Sequence, residues 1–121
     1  MVLVDSNIII YGSKPNYQSV RDYLAQEDIA ASKISLIETL GFHRLEEEES
    51  QILKQLLASC YQYSVNDEVI YRAITLRQQK KMSLGDAIIA ATALQHGLLL
   101  VTANEEDFNW ISGLELYNPV V

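Results

Sequence analysis

The sequence contains a single cysteine, Cys60, so no disulfide can form within the chain. Such a chain suits the reducing cytosol, and the apolar segment around Cys60 favours a small core residue over a reactive thiol. No apolar run approaches the roughly 20 residues that cross a membrane. The first residues also lack the basic and apolar regions of a signal peptide, so we expect a cytoplasmic protein.

Positive charge is scarce as well. Sixteen acidic residues stand against nine lysines and arginines, which gives a net charge of −7. Proteins that bind nucleic acids usually carry a basic surface, so the charge alone argues against that function. Two effects weaken the argument, because bound metal ions would offset acidic groups in a site, and the acidic run at 46–49 is typical of a solvated helix start.

Short apolar segments alternate with amphipathic ones, and the length of 121 residues fits one domain covering 1–121. This alternation predicts an α/β fold in which helices flank a mostly parallel sheet. The predicted strands are 2–4, 29–31, 63–65, 98–101 and 114–117. The predicted helices are 6–11, 17–26, 35–45, 47–61, 67–80, 83–96 and 105–110.

Four acidic residues occur at the edges of the predicted core. Asp5 and Asp107 follow predicted strands. Asp86 begins an alanine-rich helix, and Glu38 interrupts an apolar helix face. Because the functional crevice of a parallel sheet lies beyond the carboxyl ends of its strands, the fold can bring these acids together. Their repulsion would then require a cation, and carboxylates around a divalent metal are typical of metal-assisted phosphodiester hydrolysis.

Each of these acids also has a purely structural interpretation. Asp5 can cap the helix that begins at residue 6, and Asp86 can belong to a capping box that starts at Ser83. Asp107 lies three residues after Asn104 in a similar arrangement, and Glu38 can be an exposed helix residue. The functional interpretation therefore depends on all four acids converging, which periodicity alone does not establish.

The sequence resembles the PIN-domain ribonucleases, and in particular the VapC-type toxins of toxin–antitoxin pairs. The third motif is the most specific, with Asp86 between Ser83-Leu84-Gly85 and a run of small residues. The other motifs contain Asp5, Glu38 and Asn104 in the same order as in the family. The resembling segments are 4–11, 35–40, 83–93, 100–108 and 116–119, and together they extend over nearly the whole chain.

The resemblance implies a PIN-like three-layer α/β/α sandwich and an endoribonuclease that depends on Mg²⁺ or Mn²⁺. Asp5 and Asp86 match the two most dependable metal ligands of the family, and Glu38 matches its third acid. The fourth position stays open between Asn104 and Asp107. The resemblance also implies an RNA substrate, a homodimer, and an antitoxin partner whose basic side chain enters the acidic site.

The ligand types agree with this chemistry, because carboxylate oxygens suit Mg²⁺ or Mn²⁺ better than Zn²⁺. A metal-activated water would attack the phosphorus in line and leave 5′-phosphate and 3′-hydroxyl ends. Ser6 is expected to support the site by a hydrogen bond to a ligand carboxylate or a bound water. Two alternatives remain, namely a catalytically inactive PIN-like binding or regulatory module, and a phosphoryl-transfer enzyme with Asp5 as nucleophile.

Overall fold

The structure, a computed structural model, describes residues 1–120, so the last residue of the predicted domain, Val121, lies outside the described part. Five strands form one sheet in the order β3-β2-β1-β4-β5, and every neighbouring pair is parallel. The α/β fold and its parallel sheet are therefore as predicted. The strands are β1 (Val2–Val4), β2 (Ile29–Ser32), β3 (Tyr61–Tyr63), β4 (Leu99–Val101) and β5 (Leu116–Tyr117).

Helices cover both faces of this sheet, and the side-chain alternation of β1 shows how. Leu3 packs into a core with residues of the fifth and sixth helices, while Val2 and Val4 pack into a second core with the first, second and fourth. This is the three-layer arrangement that the resemblance implied. The helices are α1 (Ser6–Gly12), α2 (Gln18–Gln26), α3 (Ile34–Leu40), α4 (Glu47–Ala58), α5 (Asp67–Gln79), α6 (Leu84–His96) and α7 (Glu105–Phe108).

Several predicted boundaries were wrong. The helix predicted at 35–45 ends at Leu40, so Glu38 lies in the second half of α3 rather than in its first half. The strand predicted at 63–65 begins at Tyr61, because Ala30 of β2 pairs with Tyr61 and fixes the register there. Strand β5 has only two residues, and α7 ends at Phe108 instead of residue 110.

The ends of α6 are set by local chemistry. The Ser83 hydroxyl accepts a hydrogen bond from the Asp86 backbone N–H at 3.1 Å and caps the first turn. Gly97 ends the helix in the left-handed conformation, with φ of 64°. Within residues 1–120, no helix is long and apolar enough to span a membrane.

Candidate active site

Asp5 lies at the carboxyl end of β1 and is buried, with 4% of its surface exposed. Its Oδ1 accepts a hydrogen bond of 2.9 Å from the Ile8 backbone N–H, so the predicted capping role is real. Its Oδ2 accepts a hydrogen bond from the Thr102 hydroxyl. Because both oxygens have partners, the carboxylate is held in one orientation.

Thr102 is a site residue that the sequence analysis missed. Strands β1 and β4 pair with Val4 opposite Val101, so the next residues on the two strands, Asp5 and Thr102, are neighbours. The Asp5 backbone N–H continues the pairing by donating to the Val101 carbonyl at 3.1 Å. The available signal was the pairing of two apolar strands that are each followed by a polar residue.

Glu38 reaches the same edge of the sheet from α3. The Ser6 hydroxyl lies 2.7 Å from Oε1 of Glu38 and 2.9 Å from the hydroxyl of buried Ser35. The predicted hydrogen bond between Ser6 and a site carboxylate is therefore present. Ser6 and Ser35 link the first turns of α1 and α3, and Ser6 holds the carboxylate of Glu38, a residue that is itself exposed.

Gly85 makes room for the Glu38 carboxylate on α6. A Cβ atom at this position would lie 2.8 Å from Cδ and 2.9 Å from Oε1 of Glu38. Real side chains do not approach so closely, so any larger residue would displace the carboxylate. Gly85 was noticed in the sequence only as part of a motif, and its contact with a residue 47 positions earlier was not foreseen.

Asp86 lies between two clefts. The first, called here the acidic cleft, has a volume of about 180 Å³ and is lined by Asp5, Ser6, Asn7, Ile10, Glu38, Asp86 and Ile89. The second, called here the tryptophan cleft, has a volume of about 150 Å³ and is lined by Lys80, Lys81, Met82, Ser83, Asp86, Glu106, Asp107 and Trp110. The structure therefore brings Asp5, Glu38 and Asp86 to one cleft and places Asp107 on the opposite side of Asp86.

Burial and mutual repulsion disfavour the charged forms of two of these acids. Burial raises the pKa of Asp5, the Thr102 and Ile8 hydrogen bonds oppose it, and the charges of Asp86 and Glu38 raise it further. Burial also raises the pKa of Asp86. Ser83 opposes that effect, while the charges of Asp107 and Glu38 add to it. The acids are thus close enough to repel one another, and a bound cation would relieve that repulsion.

The profile of the PIN domain matches residues 2–114, which is nearly the whole chain. The chain belongs to the PIN-domain family. Comparison with curated proteins gives no match.

Solved structures similar to this PIN domain include several toxin–antitoxin complexes. A chain of the toxin–antitoxin complex from Klebsiella pneumoniae is 29% identical, with a TM-score of 0.82 and 98% of each chain covered. A chain of VapBC2 from Rickettsia felis, bound to a DNA fragment from its promoter, is 23% identical with a TM-score of 0.85 and 98% of each chain covered. A chain of DNA-bound VapBC from Salmonella typhimurium is 18% identical with a TM-score of 0.83, covering 98% of this chain and 99% of that one.

The donor atoms of the acidic cleft fit a hard divalent cation. Three carboxylates and the Ser6 hydroxyl offer only oxygen, which Mg²⁺ and Mn²⁺ prefer. Among residues 1–120, however, no three acidic, histidine or cysteine side chains are close enough to hold one ion as they are positioned. The placement of Asp5, Glu38 and Asp86 in a single coordination sphere therefore stays a prediction.

The two candidates for the fourth position of this PIN domain occupy different places. Asp107 lines the tryptophan cleft, and its charge acts on Asp86. Asn104 is exposed at the start of α7, where its side chain makes no capping hydrogen bond. The capping box predicted for Asn104 and Asp107 is therefore wrong, because the Asn104 side chain does not cap the helix. Instead, the Asp107 backbone N–H donates to the Asn104 backbone carbonyl at 3.1 Å.

Proposed function

We propose that this PIN domain is a VapC-like toxin that hydrolyses RNA phosphodiester bonds with the help of Mg²⁺ or Mn²⁺. One observation carries the proposal: Asp5, Glu38 and Asp86, from three separate segments, line one cleft at the carboxyl end of a parallel sheet. Neighbouring carboxylates repel one another, and a bound cation offsets this repulsion where a protein places them together. The overall likeness to toxin–antitoxin structures supports the toxin assignment.

The residues of the cleft have distinct roles in this proposal. Asp5 and Asp86 would hold the cation, with Glu38 as the third acid, and the cation when bound lowers the pKa of water so that hydroxide is available near neutral pH. The Thr102 hydroxyl and the Ile8 N–H fix the direction of the Asp5 carboxylate. Ser6 fixes that of Glu38. We expect products with 5′-phosphate and 3′-hydroxyl ends.

Cleavage of a labelled RNA by the purified protein tests the proposal. Activity should require Mg²⁺ or Mn²⁺ and stop on addition of EDTA. Asp5→Asn and Asp86→Asn should each reduce the rate by on the order of 100-fold or more, since a metal ion contributes several kcal/mol to such reactions. Asp28→Asn is the matched control, because exposed Asp28 directly precedes β2 and so lies at the amino ends of the strands, away from the acidic cleft. Equal rates for all three variants would refute the assignment.

The second candidate is a PIN domain that binds a partner without catalysis. The spacing of the acids favours it, because no three of them form a ready-made cation site within residues 1–120. Calorimetric titration with Mn²⁺ separates the two candidates. If the protein is an enzyme, the wild type should bind the ion and cleave RNA, and Asp86→Asn should lose the binding. A binding module would show no cleavage with any divalent ion.

We also propose a cytoplasmic antitoxin partner and a homodimer. The acidic cleft attracts an arginine or lysine side chain, and a chain of net charge −7 favours a basic partner. Beside Glu38, the apolar side chains of Ile37 and Phe42 are 70% and 54% exposed and offer contacts for an amphipathic segment, whereas Ile8 and Ile9 are core residues. Co-expression with the product of the adjacent gene, followed by light scattering, should show a complex without nuclease activity. If the protein stayed monomeric and fully active in the presence of that gene product, both the antitoxin and the homodimer would be contradicted.

A further inference from the structure

The few basic residues of this acidic chain are unevenly distributed. Three of the nine, Arg77, Lys80 and Lys81, fall within five positions at the junction of α5 and α6. All three are exposed. The Arg77 side chain is tied to the turn, since its Nε donates to the Met82 carbonyl at 3.3 Å. Three basic side chains therefore lie immediately before the first turn of the helix that carries Asp86.

The two lysines line the tryptophan cleft together with Trp110 and three acids, Asp86, Glu106 and Asp107. The Lys80 ammonium lies 5.6 Å from the centre of the Trp110 ring, a cation–π distance. The Trp110 indole N–H donates to the Asp107 carbonyl at 3.0 Å, which fixes the orientation of the ring. A basic group thus lies over one face of an aromatic ring, next to an acid of the acidic cleft.

The lysines are not used in ion pairs within the part of the chain that the structure describes. The ion pair found there joins Lys14 to Glu49, at 3.7 Å and far along the sequence from this turn. The charges of Lys80 and Lys81 are thus available to a ligand. Phosphate groups are such ligands, and single-stranded nucleic acids bind where basic residues contact the backbone and aromatic side chains stack with bases.

We propose that Lys80, Lys81 and Trp110 are the docking surface for a single-stranded RNA segment beside the scissile bond. The lysines contact backbone phosphates and Trp110 stacks with a base, so the strand passes from the tryptophan cleft over Asp86 into the acidic cleft. The inference rests on the proposed function for its ligand, and it explains how a chain of net charge −7 can bind a polyanion. These three are positioning residues, since none lines the acidic cleft.

Trp110 is the only tryptophan in the chain and provides a direct probe of binding. In the Asp5→Asn background with Mg²⁺, a short single-stranded oligoribonucleotide should quench tryptophan fluorescence as its base stacks on the ring. With a labelled oligonucleotide, Lys80→Gln and Lys81→Gln should each weaken binding and reduce the slope of log affinity against log salt by about 0.7. The matched control is Lys54→Gln, since Lys54 is an exposed lysine on α4. This substitution should change the affinity and the salt slope only slightly.

The stacking contact has its own variants. Trp110→Leu should lower the affinity roughly 5- to 150-fold, while Trp110→Phe, which keeps an aromatic face, should retain most of it. In the otherwise wild-type enzyme, the lysine variants should raise KM and leave kcat nearly unchanged.

The outcomes distinguish this inference from the function on which it rests. Lysine variants that bind like Lys54→Gln, or equal losses for Trp110→Leu and Trp110→Phe, would overturn the docking surface while leaving the nuclease assignment intact. Binding through these residues without cleavage by the wild type would support the docking surface and overturn the nuclease. A wild type that neither binds nor cleaves RNA would overturn both.

Discussion

Gly85 shows how a missing side chain can position a functional one. Gly85→Ala should displace the Glu38 carboxylate, because the new Cβ would lie within 2.9 Å of its Cδ and Oε1. The end of a glutamate side chain moves easily, so we expect the melting temperature to change little. On the proposed function, RNA cleavage should fall by on the order of 10-fold or more, which is the typical effect of removing support from a metal ligand.

Gly97 is the matched control for that substitution. Its φ of 64° is costly for alanine, and no other residue lies within 4 Å of the position where a Cβ would be. Gly97→Ala should therefore lower the free energy of unfolding by about 1 kcal/mol and leave the specific activity of the folded protein unchanged. Thermal unfolding and cleavage rates, measured on both variants, should show opposite patterns. A Gly85→Ala protein with full activity would mean that the position of Glu38 is unimportant.

The raised pKa values of Asp5 and Asp86 predict how stability depends on pH without metal. An acid with a raised pKa in the folded state stabilises the fold below its unfolded pKa of about 3.8, and this contribution is lost as the pH rises through the folded pKa. In EDTA, Asp86→Asn should therefore melt a few degrees above the wild type at neutral pH and at nearly the same temperature below pH 3.8.

Thermal melts at several pH values, with exposed Asp28→Asn as the reference, check this expectation. The reference variant should follow the wild type across the range. If Asp86→Asn were less stable than the wild type at neutral pH in EDTA, repulsion among the site acids could not be the dominant effect at this residue.

At the scale of elements, two similar helix caps have different consequences. Asn66 caps α5 by accepting from the Val69 N–H at 3.0 Å, and Ser83 caps α6 by accepting from the Asp86 N–H at 3.1 Å. Replacing either by alanine should cost about 1 kcal/mol of stability. Only Ser83→Ala should also reduce RNA cleavage, because the first turn of α6 carries Asp86.

Chemical denaturation and cleavage assays on the two cap variants separate the effects. Equal destabilisation with equal activity would show that the first turn of α6 keeps its geometry without the cap. In that case the orientation of Asp86 would depend on the packing of its own helix, whose residues Ala87, Ala90 and Ala91 are fully buried.

The elements also explain what the sequence could reveal. Periodicity predicted the strand of residues 2–4 and the α6 segment well, because both are apolar and have clear ends. It failed at residues 41–45, because the stop signal of Gly41, the C-cap of α3, was overlooked, and at β3, where pairing with β2 decides the register. The acids were recognised from their positions at strand and helix ends. Thr102, Ser35 and the Lys80–Trp110 contact were missed, since they depend on packing between distant segments.

For the whole molecule, divalent cations should raise stability as well as support activity. A ligand that binds only the folded state adds about 2.7 kcal/mol when present at 100 times its Kd. Mg²⁺ or Mn²⁺ should therefore raise the melting temperature of the wild type and have little effect on Asp86→Asn. The monovalent salt at equal ionic strength is the control, and an equal rise in both proteins would indicate general screening rather than a site.

Because β1 lies in the middle of the sheet, the surroundings of Asp5 can be completed only after later parts of the chain have been synthesised. Asp5 precedes Thr102, whose hydroxyl orients it, by 97 residues and is therefore synthesised earlier. The β1–β4 pairing cannot form before β4 is synthesised, so the Asp5 carboxylate should not be oriented in a nascent chain that still lacks β4. Chains arrested before residue 99 should leave residues 2–4 open to protease digestion, whereas chains arrested well beyond β4 should protect them. Early protection would show that β1 finds its place without β4.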